Sequence, residues 1–231
     1  FYEMYLNGER VGDQVLAPAV TNFDRRPLKK MLYFFDDQSN QRVLYNTFDV
    51  TSLVQKAENT VGVLLGNGWY NQRDRTVEGC MWYDTPRLLC QLEIEYTDGS
   101  TELVVTDDSW KTTTGPLLHD AIFTGEEYDA RLELDGWNRN GYKDSSWKKA
   151  LLVRAPKGSL HAQLAPHEKI IRILQPVSCE QKDDSTYWYA FPEMISGWAH
   201  IKVQGNAGDR IKLRFVGEEK NDFGQVDLYT L

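Results

Sequence analysis

The sequence predicts an all-β protein: a jelly-roll or galactose-binding-like β-sandwich followed by part of a second β-sandwich domain. Three observations carry this reading. Short apolar runs, alternating or continuous, recur along the chain; turns rich in Gly and Asn separate them; helical periodicity is nearly absent. At 231 residues, 41% hydrophobic and 12% aromatic, the chain can bury a substantial core.

Taken in order, Tyr2–Leu6, Asn7-Gly8 and the apolar positions Val11, Val15 and Leu16 read as a hairpin, because Asn-Gly supplies the positive φ values of a tight turn. A polar loop, Thr21–Pro27, follows; its Asn22 and Asp24 either present oxygens outward or close the turn by Asx hydrogen bonds. Met31–Phe35 is strongly apolar, 36–41 is a loop, and Val43–Val50 reads as a strand of mixed alternation. Thr51–Val54 reads as one helical turn. It feeds the stretch around which the chain is organised, Val61–Asn71. There Val61–Leu65 is expected as a strand buried on both faces, and Gly66-Asn67-Gly68 breaks it, delivering Trp69 and Tyr70 to a loop.

Gln72–Gly79 is a charged loop. Leu88–Tyr96 turns at Asp98-Gly99 into Thr101–Val105, the clearest hairpin, with Leu92, Ile94 and Tyr96 facing the core and Gln91, Glu93 and Glu95 facing water. The turns holding Trp110, Trp137 and Trp147 read as loops pinned by buried indoles, with Asp and Ser closing them. In Gly125–Arg131, Asp129 and Arg131 fall on one strand face, two residues apart. Residues 1–155 are expected to form the first sandwich. Residues 156–168, between Ala155-Pro156 and Ala165-Pro166, read as a linker without periodicity, and 169–231 as the start of the second sandwich. In that last part 187–191, 199–203 and 210–215 alternate, and 205–209 is a tight connection. Three or four strands do not close a sandwich alone, so this unit is expected to pack on the first or to be incomplete.

A net charge of −8, from 34 acidic and 26 basic residues, disfavours nucleic acid and anionic membrane as partners and fits neutral ligands. No run of 18 apolar residues is present, so no membrane span is expected. The opening Phe1–Leu6 has neither initiator Met nor leader and reads as cut from something longer. Cys80, Cys90 and Cys179 make no CxxC pair; buried free thiols are the default, with a Cys80–Cys90 disulfide closing a hairpin as the alternative.

Motifs for serine hydrolases, nucleotide binding and zinc proteases are absent, and the four His are scattered singly. Adjacent acids such as Asp36-Asp37, Glu126-Glu127 and Asp183-Asp184 point to opposite strand faces or sit in turns, so they read as solvated charge. No catalytic residue is assigned. Asn67, Trp69, Tyr70 and Asn71 combine flat rings with amide donors and acceptors, a pairing that suits a sugar; a lid over the end of the sandwich is the plainer alternative. Oxygen-rich loops make calcium the ion to consider, with Asn22 and Asp24 as candidates and Asn67 and Asp84 as further oxygens, although no EF-hand spacing exists.

Motifs in a fixed order carry a resemblance: Tyr5–Gly12 with Leu16-Ala17-Pro18, Thr47–Thr51, Leu64–Tyr70 and Tyr128–Arg131. Together they resemble the N-terminal β-sandwich of bacterial α-L-rhamnosidases. Trp137, Asp144–Lys148, Pro176-Val177, Ile195–Trp198 and Val203–Gly208 resemble the join to that family's next β-domain. The resemblance implies a non-catalytic front end of a glycoside hydrolase that releases terminal L-rhamnose from plant glycans or glycosides by inverting hydrolysis. It places the acids in an (α/α)6 barrel further along, which would be this segment's own partner, and it implies a periplasmic or secreted setting. It also adds Asp129 to the sugar-binding candidates and allows calcium, with no required cofactor. Two departures stand out: Pro27–Arg42 is long, and Phe191-Pro192-Glu193-Met194 replaces a Phe-Gly-Gln-Asn type of turn. A rhamnose-binding module assisted by calcium and a purely structural brace are the competing readings.

Overall fold

The computed structural model describes residues 1–25, 40–72, 82–217 and 222–231. The first hairpin forms as its sequence dictates. β1 (Tyr2–Leu6) and β2 (Glu9–Arg10) are joined by Asn7 at φ 55° and Gly8 at φ 85°, the left-handed pair that Asn-Gly adopts with least strain. The second strand is shorter than expected. Gly12 at φ 77° and Leu16 at φ 50° turn the chain away, and Gln14 instead bridges to Lys169.

β3 (Arg42–Tyr45) covers only the first half of the strand expected over Val43–Val50, and a single 3-10 turn at Thr51–Leu53 follows as predicted. β4 (Val61–Leu65) pairs antiparallel with the whole of β1, giving the sheet order β2-β1-β4. Gly62 is buried because Trp137 lies on it, so a Cβ there would meet the indole at 2.7 Å. Burial of β4 on both faces is a correction: Leu64 is 39% exposed on the same face as buried Gly62, because the strand is the edge of a three-stranded sheet and the cover of Trp137 lies over Gly62. Among the described residues Leu6, Val11, Ala17 and Phe23 are the buried hydrophobic side chains, and they place the core beside the first hairpin.

Asn7 is the corner of this region. Its side chain donates to the Leu53 carbonyl (2.9 Å) and to Asn59 Oδ1 (2.8 Å), and accepts from the Thr60 amide (2.9 Å).

β5 (Gln91–Glu95) and β6 (Thr101–Val105) form the expected hairpin around Gly99 at φ 82°. Leu92 and Ile94 are half-buried between exposed Gln91, Glu93 and Glu95, as the alternation requires, but Tyr96, expected on the same core face, is 46% exposed, since it lies past the end of the strand and its hydroxyl donates to Glu102. The two Asp-x-Ser-Trp turns sit side by side, because β7 (Lys111–Thr112) directly follows one of them and pairs with β10 (Lys148–Lys149), which follows the other. Each Asp closes its turn or ties the pair. Asp107 accepts from the amide (2.8 Å) and hydroxyl (2.5 Å) of Ser109, and Asp144 receives Lys111 Nζ at 2.7 Å. The indoles of Trp110, Trp137 and Trp147 are half-buried rather than enclosed.

β8 (Leu117–Ala121) and β9 (Gly125–Asp129) form a hairpin that belongs to the largest sheet. β11 (Ser159–Ala162) lies inside the stretch read as a loose linker and pairs in parallel with β3, so 156–168 is held against the first unit rather than free of it. The cause is register: four backbone positions, Ser159 to Ala162, match Arg42 to Tyr45.

β12 (Ser178–Gln181) and β13 (Tyr187–Ala190) pair only with each other. The strand expected over Ala199–Val203 does not form, because no described strand lies beside it. β14 (Arg210–Val216) and β15 (Asp222–Thr230) complete the large sheet in the order β14-β15-β9-β8, with β15 parallel to β9. At this seam the last part of the chain shares one sheet with β8 and β9. Met31–Phe35, Gln72–Gly79 and the proposed Cys80–Cys90 disulfide fall wholly or partly outside the described residues; Cys90 and Cys179 are free thiols. Among the described residues no helix is long and apolar enough to cross a membrane.

Gly125 marks how closely β9 and β15 approach. At φ 103°, a Cβ placed there would lie 2.1 Å from the Val226 carbonyl oxygen, whereas Gly99 at φ 82° has open space around it. Gly99→Ala should therefore lose about 1–2 kcal/mol for the left-handed backbone alone. Gly125→Ala should lose clearly more, read as a lower urea midpoint, because it also displaces β15.

Candidate functional site

The loop after β4 is fastened by one carboxylate. The backbone amide of Asn67 donates to Asp120 Oδ2 at 2.6 Å, and its side-chain nitrogen donates to Asp120 Oδ1 (2.8 Å) and to the Asp120 carbonyl (2.9 Å). These bonds fix which way the Asn67 amide faces. Its Oδ1 must point away from Asp120, where it accepts from Asn71 Nδ2 at 2.7 Å. Asn71 is thereby oriented in turn, and its own Oδ1 is buried with no hydrogen-bond partner. The main chain closes the same turn: the amides of Tyr70 and Asn71 both donate to the Asn67 carbonyl, at 3.2 and 3.1 Å. Buried Gln72 donates to the Gly68 carbonyl. Gly68, at φ 48°, lies against Phe1, where a Cβ would come within 2.7 Å of the Phe1 nitrogen.

From this anchored turn the two neighbouring rings enter different aromatic groups. Trp69 meets Phe123 edge to face, with centroids 5.6 Å apart at 81°. Tyr70 stacks on Tyr83 (5.5 Å, 18°), and Phe23 sets its edge against both, at 5.4 Å. The Tyr83 amide also donates to the Tyr70 carbonyl at 2.8 Å. Burial pushes the Tyr70 hydroxyl above its ordinary pKa, with nearby Arg87 opposing the shift and Asp84 and Asp24 adding to it.

Asn22 and Asp24 flank Phe23 and so reach the Tyr70 group from below. Tyr83 Oη donates to Asn22 Oδ1 at 3.5 Å. Both Asp24 oxygens accept from backbone amides, Oδ1 from Arg25 at 2.7 Å and Oδ2 from Lys157 at 3.3 Å. Calcium takes six to eight oxygens. Asp24 is engaged on backbone amides and Asn22 on the Tyr83 hydroxyl, so these two side chains alone fill only part of that set, and the described residues hold no group of three His, Cys, Asp or Glu side chains that fits a metal.

Asp129 stands apart from the loop. It ends β9, nearly buried, and Arg131 grips it with Nε at 2.8 Å on Oδ1 and Nη2 at 2.6 Å on Oδ2, while the Arg131 amide adds a bond of 3.1 Å. The guanidinium beside it holds the Asp129 carboxyl below its usual range. Asp120 lies opposite Glu126 in the β8–β9 register, and Asp129 is three residues further along β9. It therefore projects to the opposite face of the sheet, about 10 Å away along the strand. The structure thus gathers Asn67, Trp69, Tyr70 and Asn71, adjoins Asn22 and Asp24 to them through Phe23, and separates Asp129.

Sequence reasoning missed Asp120, Phe123 and Tyr83. A signal existed for the first: an Asp within the strand-like Leu117–Ala121 needs a partner when the strand is covered. Across the β8–β9 register from Asp120 stands Glu126, and beside it Asp227. The Glu126 amide donates to Asp227 Oδ1 at 3.0 Å. Desolvation is the main cause that raises the pKa of both; for Glu126, the charges of Asp227, Asp120 and Glu3 add to it.

Both carboxylates are protonated more readily in the folded than in the unfolded chain. Their effect is therefore stability present below the ordinary carboxylate range and lost as pH rises through the raised folded values. Glu126→Gln should flatten the fall in melting temperature between pH 4 and 7 and leave the variant more stable than the parent at pH 7. Asp120→Ala should strand the Asn67 donors and lower stability by about 2–4 kcal/mol, with a shift in Trp69 fluorescence.

The sequence model described as the alpha-L-rhamnosidase N-terminal domain matches residues 1–34 and 35–172. An α-L-rhamnosidase of Formosa agariphila is 31% identical over 218 residues, covering 92% of this chain and 21% of that protein. One from an Alteromonas species is 31% identical over 229 residues, covering 96% and 23%. The chain spans about a fifth of the length of the curated relatives it matches. Among solved structures, the α-L-rhamnosidase of Dictyoglumus thermophilum superposes with a TM-score of 0.83 at 34% identity, over 99% of this chain and 24% of that one. That of Streptomyces avermitilis, complexed with L-rhamnose, gives 0.81 at 28% identity, over 100% and 22%.

Proposed function

The chain belongs to the family of α-L-rhamnosidase N-terminal domains, and from that premise we propose that it is the non-catalytic front end of a glycoside hydrolase. That enzyme releases terminal L-rhamnose from plant glycans or glycosides by inverting hydrolysis, in the periplasm or outside the cell, with its acids in a barrel that this segment braces. The observation that carries the reading is the extent of the likeness. The family model runs through residue 172, and the superposition on a rhamnosidase covers 99% of the chain but only 24% of that enzyme.

The carboxylates of the site support the same division of labour. Inverting hydrolysis needs an acid and a base about 6.5–9.5 Å apart across a cleft, each free to move a proton. Asp120 is committed to Asn67, Asp129 to Arg131, and Asp24 to backbone amides. These carboxylates hold the fold together. The segment alone should give no turnover of an aryl α-L-rhamnoside; substantial hydrolysis would end the non-catalytic reading.

A second reading, sugar binding at the loop of Asn67, Trp69, Tyr70 and Asn71, is favoured by the half-buried rings of Trp69 and Tyr70 that the anchored turn holds beside these amides. A partly exposed ring beside amide groups suits a sugar's apolar face and hydroxyl rim. Calorimetry with L-rhamnose, with and without chelator, tests it. Heat that disappears with Asn71→Ala supports the loop, and heat that also disappears on chelation brings calcium at Asn22 and Asp24 into the reading. No heat at millimolar sugar removes both.

A further inference from the structure

We infer that residues 163–169 form a pH-operated strap on the first hairpin, closed while the His167 ring is neutral and released when that ring takes a second proton. Backbone bonds lay the strap in place. The Gln163 amide donates to the Tyr45 carbonyl at 3.0 Å, the Val15 amide donates to the Glu168 carbonyl at 2.8 Å, and Gln14 bridges to Lys169. Between these ends the His167 ring stacks on Phe48, with centroids 6.2 Å apart at 27°, and Phe48 lies against Gly12.

One side-chain amide decides which form of His167 fits. The Ala19 amide donates to Gln163 Oε1 at 2.9 Å, so the end of Gln163 that faces the ring is Nε2, which only donates. It stands 3.3 Å from His167 Nδ1 and also reaches the Ala165 carbonyl at 3.4 Å. Nδ1 is therefore the acceptor, and the one ring hydrogen of the neutral form sits on Nε2. A second proton has only Nδ1 to go to. There it faces the hydrogens of Gln163, and a hydrogen bond becomes two opposed donors in a half-buried contact. Histidine is the side chain that ordinarily makes this change between about pH 5 and 8.

The charges on the surrounding elements act in the same direction. Arg10 of the hairpin is turned onto Glu3 and the Gln14 carbonyl, and Asp49, beside Phe48, onto the Thr51 amide. In the strap itself the Glu168 side chain is exposed and Lys169 Nζ reaches Asp13 at 2.8 Å. Asp13 is the carboxylate that acts on the ring: the Lys169 bond is the main cause holding its carboxyl below the usual range, and the charge of His167 adds to it. A protonated ring is thus repelled by Gln163 and drawn toward Asp13. Release loosens the stretch that leads from β11 to β12 and uncovers Phe48.

Hydrogen exchange of the chain, expressed as protection factors so that the intrinsic pH dependence of exchange divides out, tests this between about pH 7.5 and 5.5. The Val15 and Ala19 amides, both donors into the strap, are expected to lose protection roughly tenfold as pH falls, at the midpoint where the His167 ring titrates by NMR. The Asn7 amide, which donates to the Thr60 carbonyl, is expected to keep its protection. His167→Asn retains an acceptor that takes no proton in this range and should hold the strap throughout. Gln163→Glu turns a carboxylate toward the ring, so its strap should tighten on acidification. Level protection in the parent, a fall away from the ring's midpoint, or an equal fall in His167→Asn overturns the proposal, and so does loss of protection on acidification in Gln163→Glu. Should a variant fail to fold, the coincidence of the two midpoints in the parent decides.

Discussion

The parallel pairing of β15 with β9 is the constraint on which the arrangement depends. Leu228, Tyr229 and Thr230 lie beside Glu127, Tyr128 and Asp129, and the rings of Tyr128 and Tyr229 stack at 5.4 Å, only 5° from parallel. Without that pairing β14 and β15 would be a free hairpin. With it, they extend the sheet that carries β8, and β8 carries the carboxylate that fixes the candidate loop. Gly125 permits the approach because its missing Cβ leaves room for the Val226 carbonyl.

From Asp120 the order passes to the loop by a succession of oriented amides. Each Asn in the series has one donor and one acceptor end, and satisfying the first fixes the second. The result is a rigid turn presenting Trp69 to one aromatic group and Tyr70 to another. Nothing in that device requires chemistry on a substrate. It suits a scaffold that holds surfaces in register, which agrees with the chain being about a fifth of the relatives it matches.

What was legible in the sequence follows from what is local. The Asn7-Gly8 and Asp98-Gly99 hairpins, the turn at Thr51–Leu53 and the alternation of β5 were readable because turn chemistry and side-chain period act over a few residues. The all-β class and the family likeness came from the same kind of signal, accumulated along the chain. Long-range pairings were not readable. The parallel strand at Ser159–Ala162 hides in a stretch without periodicity, since its backbone pairs with β3 while its four side chains stay exposed. Ala199–Val203 failed the other way: its alternation is intact, but a strand exists only where a neighbour completes its ladder. In the candidate loop, Trp69 and Tyr70 were singled out by residue type. Asp120, 53 residues from Asn67, was invisible to any local rule.

The seam between β9 and β15 also bears on how the chain acquires its shape. Glu126 and Asp227 are 101 residues apart in sequence, yet their main-chain and side-chain groups meet across it. Contacts at such separation close large loops before they return any stabilisation, so assembly should be slow compared with a helical bundle of the same size. During synthesis the edge of β9 stays without its neighbour until β15, some 101 residues further along, has left the ribosome. Over that interval the nascent chain carries an open sheet margin, the kind of surface that chaperones shield.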